Sequence, residues 1–160
     1  MVDLARTLRE LADEVGLEVV LPIHPSPAVR SSLLPELQGH PNVIVRPPLD
    51  YLDFVATMAE SHFVITDSGG VQEEAPWLGK PVLICRETTE RTEGVDEGVA
   101  QLIGTGAANL RDWVTRLCHD QTLYASMSRR VSPYGDGQAA ERIVGILSSP
   151  DRQESTAANV

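Results

Sequence analysis

Hydrophobic positions gather along the chain in five short, β-leaning runs, at residues 17–23, 43–45, 62–66, 81–85 and 100–103. The runs start roughly twenty residues apart, the length of one strand, one helix and two short loops. The polar-rich segments between them carry helical periodicity. Leu4, Leu8, Leu11 and Val15 form one apolar stripe. Asp50 suits the N-cap of a helix whose apolar side holds Leu52, Val55 and Met58. Beyond Gly104 only helical signals follow: Leu110, Val114 and Leu117 mark one helix, residues 123–127 a second and residues 138–147 a third. This beat of βα units predicts an α/β fold, a Rossmann-like three-layer sandwich with helices on both faces of a parallel sheet of about five strands. Residues 148–160 offer almost nothing to bury and are expected to be a disordered tail, leaving 1–147 as one domain.

Composition narrows the function classes. Of 160 residues, 42% are apolar and 22% charged, which suits a single globular domain able to bury its own core. Thirteen Lys and Arg face 23 Asp and Glu, a net charge of −10. Such a surface disfavours nucleic-acid binding, which depends on neutralising backbone phosphates. A small phosphorylated ligand remains open to it, because that needs only a local positive site. Cys85 and Cys118 lie 33 apart, in neither metal-ligand nor redox spacing, and read as reduced core thiols. No metal or cofactor is expected. No apolar run approaches the ~18 residues of a membrane span. The first 17 residues contain Asp3, Arg6, Arg9, Glu10, Asp13 and Glu14, a pattern unlike a signal peptide, so a cytoplasmic location is expected.

In sheets of this kind ligands bind beyond the carboxyl ends of the strands. The first strand is followed by His24-Pro25-Ser26-Pro27 and the second by Arg46-Pro47-Pro48-Leu49-Asp50-Tyr51. The third runs into Thr66-Asp67-Ser68-Gly69-Gly70-Val71-Gln72-Glu73-Glu74, and the fourth into Arg86-Glu87-Thr88-Thr89-Glu90-Arg91. The Ser-Gly-Gly turn is the most informative. Glycines let backbone approach a ligand closely, and the free N–H groups of the helix that opens there attract an anion such as a diphosphate. From composition alone the same turn reads equally as a tight corner capped by Asp67 or Ser68. It fits neither the Walker nor the dinucleotide pattern, nor a nucleophile elbow.

Glu74 falls on a stripe with Val71, Ala75 and Leu78, one turn from the glycines of the candidate anion site, and a carboxylate there can accept two hydroxyl hydrogen bonds from a ribose. A first-turn glutamate favoured by the helix dipole is the plainer alternative. Arg86 and Arg91 match phosphate geometry, or pair with neighbouring glutamates. Phe54 can contact a base or pack in the core, and His24 is a lone histidine held before a proline.

The ordered run from Thr66 to Pro76, then Leu78-Gly79-Lys80-Pro81-Val82-Leu83, then Arg86 to Arg91, closely resembles the non-hydrolysing UDP-N-acetylglucosamine 2-epimerases. The resemblance continues through Glu93-Gly94-Val95 and Leu102-Ile103-Gly104-Thr105 into Pro133-Tyr134-Gly135-Asp136-Gly137-Gln138-Ala139, and covers about residues 1–147. It implies one half of a two-domain GT-B fold, the carboxyl-terminal, UDP-binding half. By that resemblance Ser68, Gly69 and Gly70 hold the diphosphate, Glu74 the ribose, and Phe54 lies at the uracil. Glu90 and Arg91 face the reacting sugar-phosphate. His24 matches a segment that in some bacterial members helps hold a second, regulatory UDP-sugar. The helix after Gly137 corresponds to one that braces the amino-terminal half.

The expected ligands are therefore UDP and UDP-N-acetylglucosamine. The expected partners are a missing amino-terminal domain and, for a full-length enzyme, a second copy in a homodimer. The implied role is in cell-surface polysaccharide biosynthesis. Three departures stand out: Thr92 for a usual proline, Val99 for threonine and Ser132 for asparagine. The family's His-Arg-Arg-Glu segment and catalytic acidic residues belong ahead of Met1, so this chain alone is expected to lack the base that removes the C2 proton. The donor-binding half of a GT-B glycosyltransferase and a non-catalytic nucleotide-binding domain are the alternatives.

Overall fold

A computed structural model describes residues 2–149. Helices and strands alternate in the order α1 (Val2–Glu14), β1 (Val19–Pro22), α2 (Pro27–Leu37), β2 (Val43–Arg46), α3 (Tyr51–Glu60), β3 (Val64–Thr66), α4 (Gly69–Trp77), β4 (Val82–Ile84), α5 (Glu93–Asp96) and β5 (Ala100–Leu102). Three helices follow, α6 (Ala107–His119), α7 (Gln121–Met127) and α8 (Ala139–Ser148). Each strand lies inside or within one residue of its expected run, and every ladder is parallel. The tail expected over 148–160 begins with Ser148, which instead closes α8, and residues 150–160 lie outside the described ones.

One feature differs from the expected single sheet. Among the described residues β1 pairs with β2 and β3–β4–β5 form a separate ladder. β1 and β2 span four residues each and β3, β4 and β5 three each, so both ladders are short. Side chains link the two groups: Leu17, before β1, and Phe63, before β3, both pack against the cluster of Leu11, Leu83, Leu110, Val114 and Leu117.

β4 shows why there are three layers. Val82, Leu83 and Ile84 are fully buried, and successive side chains of a strand point to opposite faces. Leu83 enters the cluster formed with α1 and α6, while Val82 and Ile84 join Met58 of α3 and Ala75 of α4. Helices thus cover both faces. Gly79, at φ +72, turns the chain from α4 back into β4, and a Cβ there would meet the Ser128 carbonyl oxygen at 3.1 Å.

Leu83 sits in the densest part of this core. Leu83→Ala is expected to cost about 3 kcal/mol or more of unfolding free energy, because the surrounding strand and helices close only partly over the cavity. Leu52→Ala, at a side chain 78% exposed, should change stability by less than ~0.5 kcal/mol. Urea unfolding of both variants measures the contrast.

Candidate functional site

β3 and β4 run parallel in register, Thr66 beside Ile84, so the segments that follow them emerge at one edge. From β3 the chain passes through Asp67 and Ser68 into α4. Ser68 occupies the N-cap with extended backbone, φ −84 and ψ 131, yet its side chain makes no capping hydrogen bond. Asp50, at the same position of α3, does accept from the Asp53 N–H at 2.9 Å. The first N–H groups of α4 are therefore left without the side-chain acceptor that usually satisfies them, and they sit at the positive end of the helix. The turn is not simply a side-chain-capped corner.

Arg91 returns to this same point. A Cβ built on Gly69 would lie 2.6 Å from the Arg91 guanidinium carbon and from Nη1, so the arginine occupies the space a side chain would need. Gly70 has nothing within 4 Å of that position and is exposed. One glycine admits the guanidinium, and the next presents open backbone. The Arg91 Nε donates to Glu73 at 2.5 Å and Nη1 donates to Glu90. Nη2 joins neither pairing. Glu90 also accepts from Arg86 at 3.3 Å. Its own backbone N–H, then Arg86 and Arg91, hold the Glu90 carboxyl below the usual carboxylate range. That makes Glu90 a weaker proton acceptor than a free glutamate.

Glu74 stands outside this ion-pair network. It lines a groove of about 360 Å³ with Tyr51, Val55, Trp77, Leu78 and the loop 132–137. The buried face of α4 is Gln72, Ala75 and Pro76, one position round from the expected stripe of Val71, Glu74, Ala75 and Leu78. Val71, Ala75 and Leu78 of that stripe do pack on the cluster with Val82 and Ile84 of β4, and Glu74 is half-buried and lines the groove.

The remaining expected residues are dispersed. Phe54 is half-buried and packs against the Met58 and Ala75 cluster, the plainer of its two readings. Tyr51, one turn earlier, lines the groove, as do the aromatics Trp77 and Tyr134. His24 is exposed at the end of β1, where Nδ1 accepts from the Ser26 N–H at 3.1 Å. In the neutral ring Nε2 then carries the proton and is a donor. Burial pushes the Cys85 thiol up to about 11, which fits an unreactive core cysteine.

Three polar residues at the site stand inside the quoted motifs, where the sequence alone assigns them no individual role. Gln72 is fully buried and its Oε1 accepts from the Thr89 hydroxyl at 2.7 Å. Thr89 Oγ1 in turn accepts from the Arg91 N–H at 3.1 Å. The Tyr134 hydroxyl donates to the Arg91 carbonyl at 3.3 Å and accepts from the Gly94 N–H at 3.1 Å.

The domain thus joins α/β architecture to an uncapped helix terminus under an arginine, whose N–H groups are donors of the kind that anions accept from. The sequence profile of the UDP-N-acetylglucosamine 2-epimerases matches residues 1–148, and the chain belongs to that family. It is 49% identical over 131 residues to the UDP-N-acetylglucosamine 2-epimerase of Yersinia pestis, covering 82% of this chain and 35% of that protein. It is 43% identical over 148 residues to that of Bacillus subtilis, covering 92% and 39%. The fold matches the UDP-GlcNAc 2-epimerase from Neisseria meningitidis bound to UDP-GlcNAc, with a TM-score of 0.87 at 39% identity over 91% of this chain and 40% of that one. The S. aureus MnaA–UDP co-structure matches with a TM-score of 0.86 at 42% identity, over 91% and 40%. The chain thus spans little more than a third of the length of these curated relatives.

Proposed function

We propose that this chain is the carboxyl-terminal, UDP-binding half of a cytoplasmic UDP-N-acetylglucosamine 2-epimerase. The observation that carries the reading is the uncapped amino end of α4, with Gly70 open and Arg91 over Gly69. The diphosphate would accept from the N–H groups of Gly69, Gly70 and Val71, with the Ser68 hydroxyl and Arg91 beside it. Glu74 would accept from the ribose hydroxyls. The uracil would lie at Phe54, and the Nε2–H of His24 would donate to a ligand oxygen.

Epimerisation at C2 faces a chemical obstacle, because no carbonyl adjoins C2 to acidify its proton. Elimination avoids it. A base takes the C2 proton, the C1–O bond breaks with its electron pair leaving on UDP, and a C1–C2 double bond forms. Re-addition of UDP and delivery of a proton to the opposite face complete the change. In this division of labour the present residues steady the leaving diphosphate. The base comes from the other half, since Glu73 and Glu90 are both committed to arginine.

α8 supports the two-part reading. Ile143, Val144, Ile146 and Leu147 are each more than half exposed, while Arg142 ties the start of the helix to Asp136. An apolar face left open within the chain suits bracing against a second domain.

Calorimetry with UDP and CMP tests the assignment. UDP should bind the 160-residue chain measurably and CMP far more weakly, and equal binding of the two overturns it. Glu74→Ala should weaken UDP about tenfold, the scale of a hydrogen bond to a charged group, and leave 2′,3′-dideoxy-UDP unchanged.

A further inference from the structure

Arg91 lies on a segment without regular secondary structure, and an exposed ion pair alone holds a long side chain poorly. Its backbone, however, is held on both sides. The Thr89 hydroxyl accepts from its N–H and the Tyr134 hydroxyl donates to its carbonyl. Each hydroxyl is itself anchored elsewhere. Thr89 donates to Gln72, a fully buried residue inside the helix whose amino end forms the anion site. Tyr134 accepts from Gly94 of α5.

Gln72 is an unusual anchor. Its Nε2 is buried with no hydrogen-bond partner among the described residues, a costly state for an amide. A leucine or methionine would fill the same space without that cost. What only Gln72 supplies is the buried acceptor for Thr89. Resting on the UDP-binding reading above, we infer that Gln72, Thr89 and Tyr134 are positioning residues that pre-set Arg91 over Gly69 as a phosphate clamp before ligand arrives. Gln72 lies on α4 itself, so the relay couples the arginine to the same rigid element that presents the backbone donors. A clamp already in place needs less ordering on binding than a free arginine.

The test uses the full chain and three variants, Thr89→Val, Thr89→Ser and Tyr134→Phe. Valine keeps the shape of threonine and removes the hydroxyl, while serine keeps the hydroxyl. Thr89→Val and Tyr134→Phe should each weaken UDP binding about fivefold to tenfold, with Thr89→Ser near the parent. In an Arg91→Ala background Thr89→Val should have no further effect, as expected of residues acting through one another. Additive losses overturn the inference.

A ligand-free readout separates this inference from the UDP assignment. The Arg91 Nε–H resonance, slowed in exchange by its bond to Glu73, should broaden or move in Thr89→Val and return in Thr89→Ser. If UDP fails to bind the parent chain, the assignment fails while this resonance still decides the clamp. An Arg91 resonance identical in parent and Thr89→Val refutes the clamp whatever UDP does.

Discussion

Gly70→Asp should leave the fold intact and abolish UDP binding. No atom lies within 4 Å of a Cβ at this glycine, and its φ lies outside the left-handed region, so the side chain is accommodated. An aspartate in the first turn even favours the helix dipole by a few tenths of a kcal/mol. The effect on ligand is opposite. A carboxylate within about 4 Å of a phosphate, near a protein surface, raises the energy of the complex by ~4 kcal/mol. That is a loss of more than about a hundredfold in affinity. The side chain also fills the open approach to the Gly70 backbone. Thermal melting and UDP calorimetry on the same preparation separate the two effects. Unchanged melting with undetectable binding is the expected pair, and UDP binding at the parent's affinity would place the diphosphate elsewhere.

The 160-residue chain by itself should not interconvert UDP-N-acetylglucosamine and its manno epimer. A general base works best with a pKa near the operating pH. Glu90 is held below the ordinary carboxylate range and Glu73 is bound to Arg91. Ser68 and Gly70 are exposed, so water has free access to the place where the sugar would react. Loss of base, closure and substrate positioning together should remove ~10⁶-fold or more of the rate, a typical lower bound on what an enzyme supplies. NMR of the sugar nucleotide at high protein concentration should show neither manno epimer, glycal nor free UDP. Turnover above a Gly70→Asp control contradicts this division of labour. Recovery on adding a polypeptide that supplies the rest of a relative's length supports it.

The βα beat was legible because each strand is a short apolar run between polar helices, and β4, buried on both faces, reads as unbroken Val-Leu-Ile. The division of the sheet was not, because it depends on which strands pair, β1 with β2 and β3 with β4 and β5, and an apolar run carries no record of its partner. α5 was invisible too: it is four residues long and only Gly94 is buried, too little for a periodic signal. At the site, Ser68, Gly69 and Gly70 open α4 just after β3 with Arg91 over Gly69, and Glu74 lies one turn along α4 on the groove. Their number along the chain already placed them at the ends of neighbouring strands.

What stayed hidden depends on contacts between distant positions. Thr89 meets Gln72 across 17 residues and Tyr134 meets Arg91 across 43. A glutamine inside a helix next to Glu73 and Glu74 looks like part of a solvated face, and only the folded structure reveals it as buried and bonded to Thr89. The apolar stripe of α4 was legible, since Val71, Ala75 and Leu78 all pack on the cluster with Val82 and Ile84, but the burial of Gln72 and Pro76 beside it was not.

Amide NMR of the ¹⁵N-labelled chain titrated with UDP tests the placement of the diphosphate most directly. The largest shifts should fall on the N–H groups of Gly69, Gly70 and Val71, with the Arg91 Nε–H moving in step as phosphate joins Glu73 around it. Shifts confined to the His24 turn or to α8, or no shifts at saturating UDP, would contradict a diphosphate site at the amino end of α4.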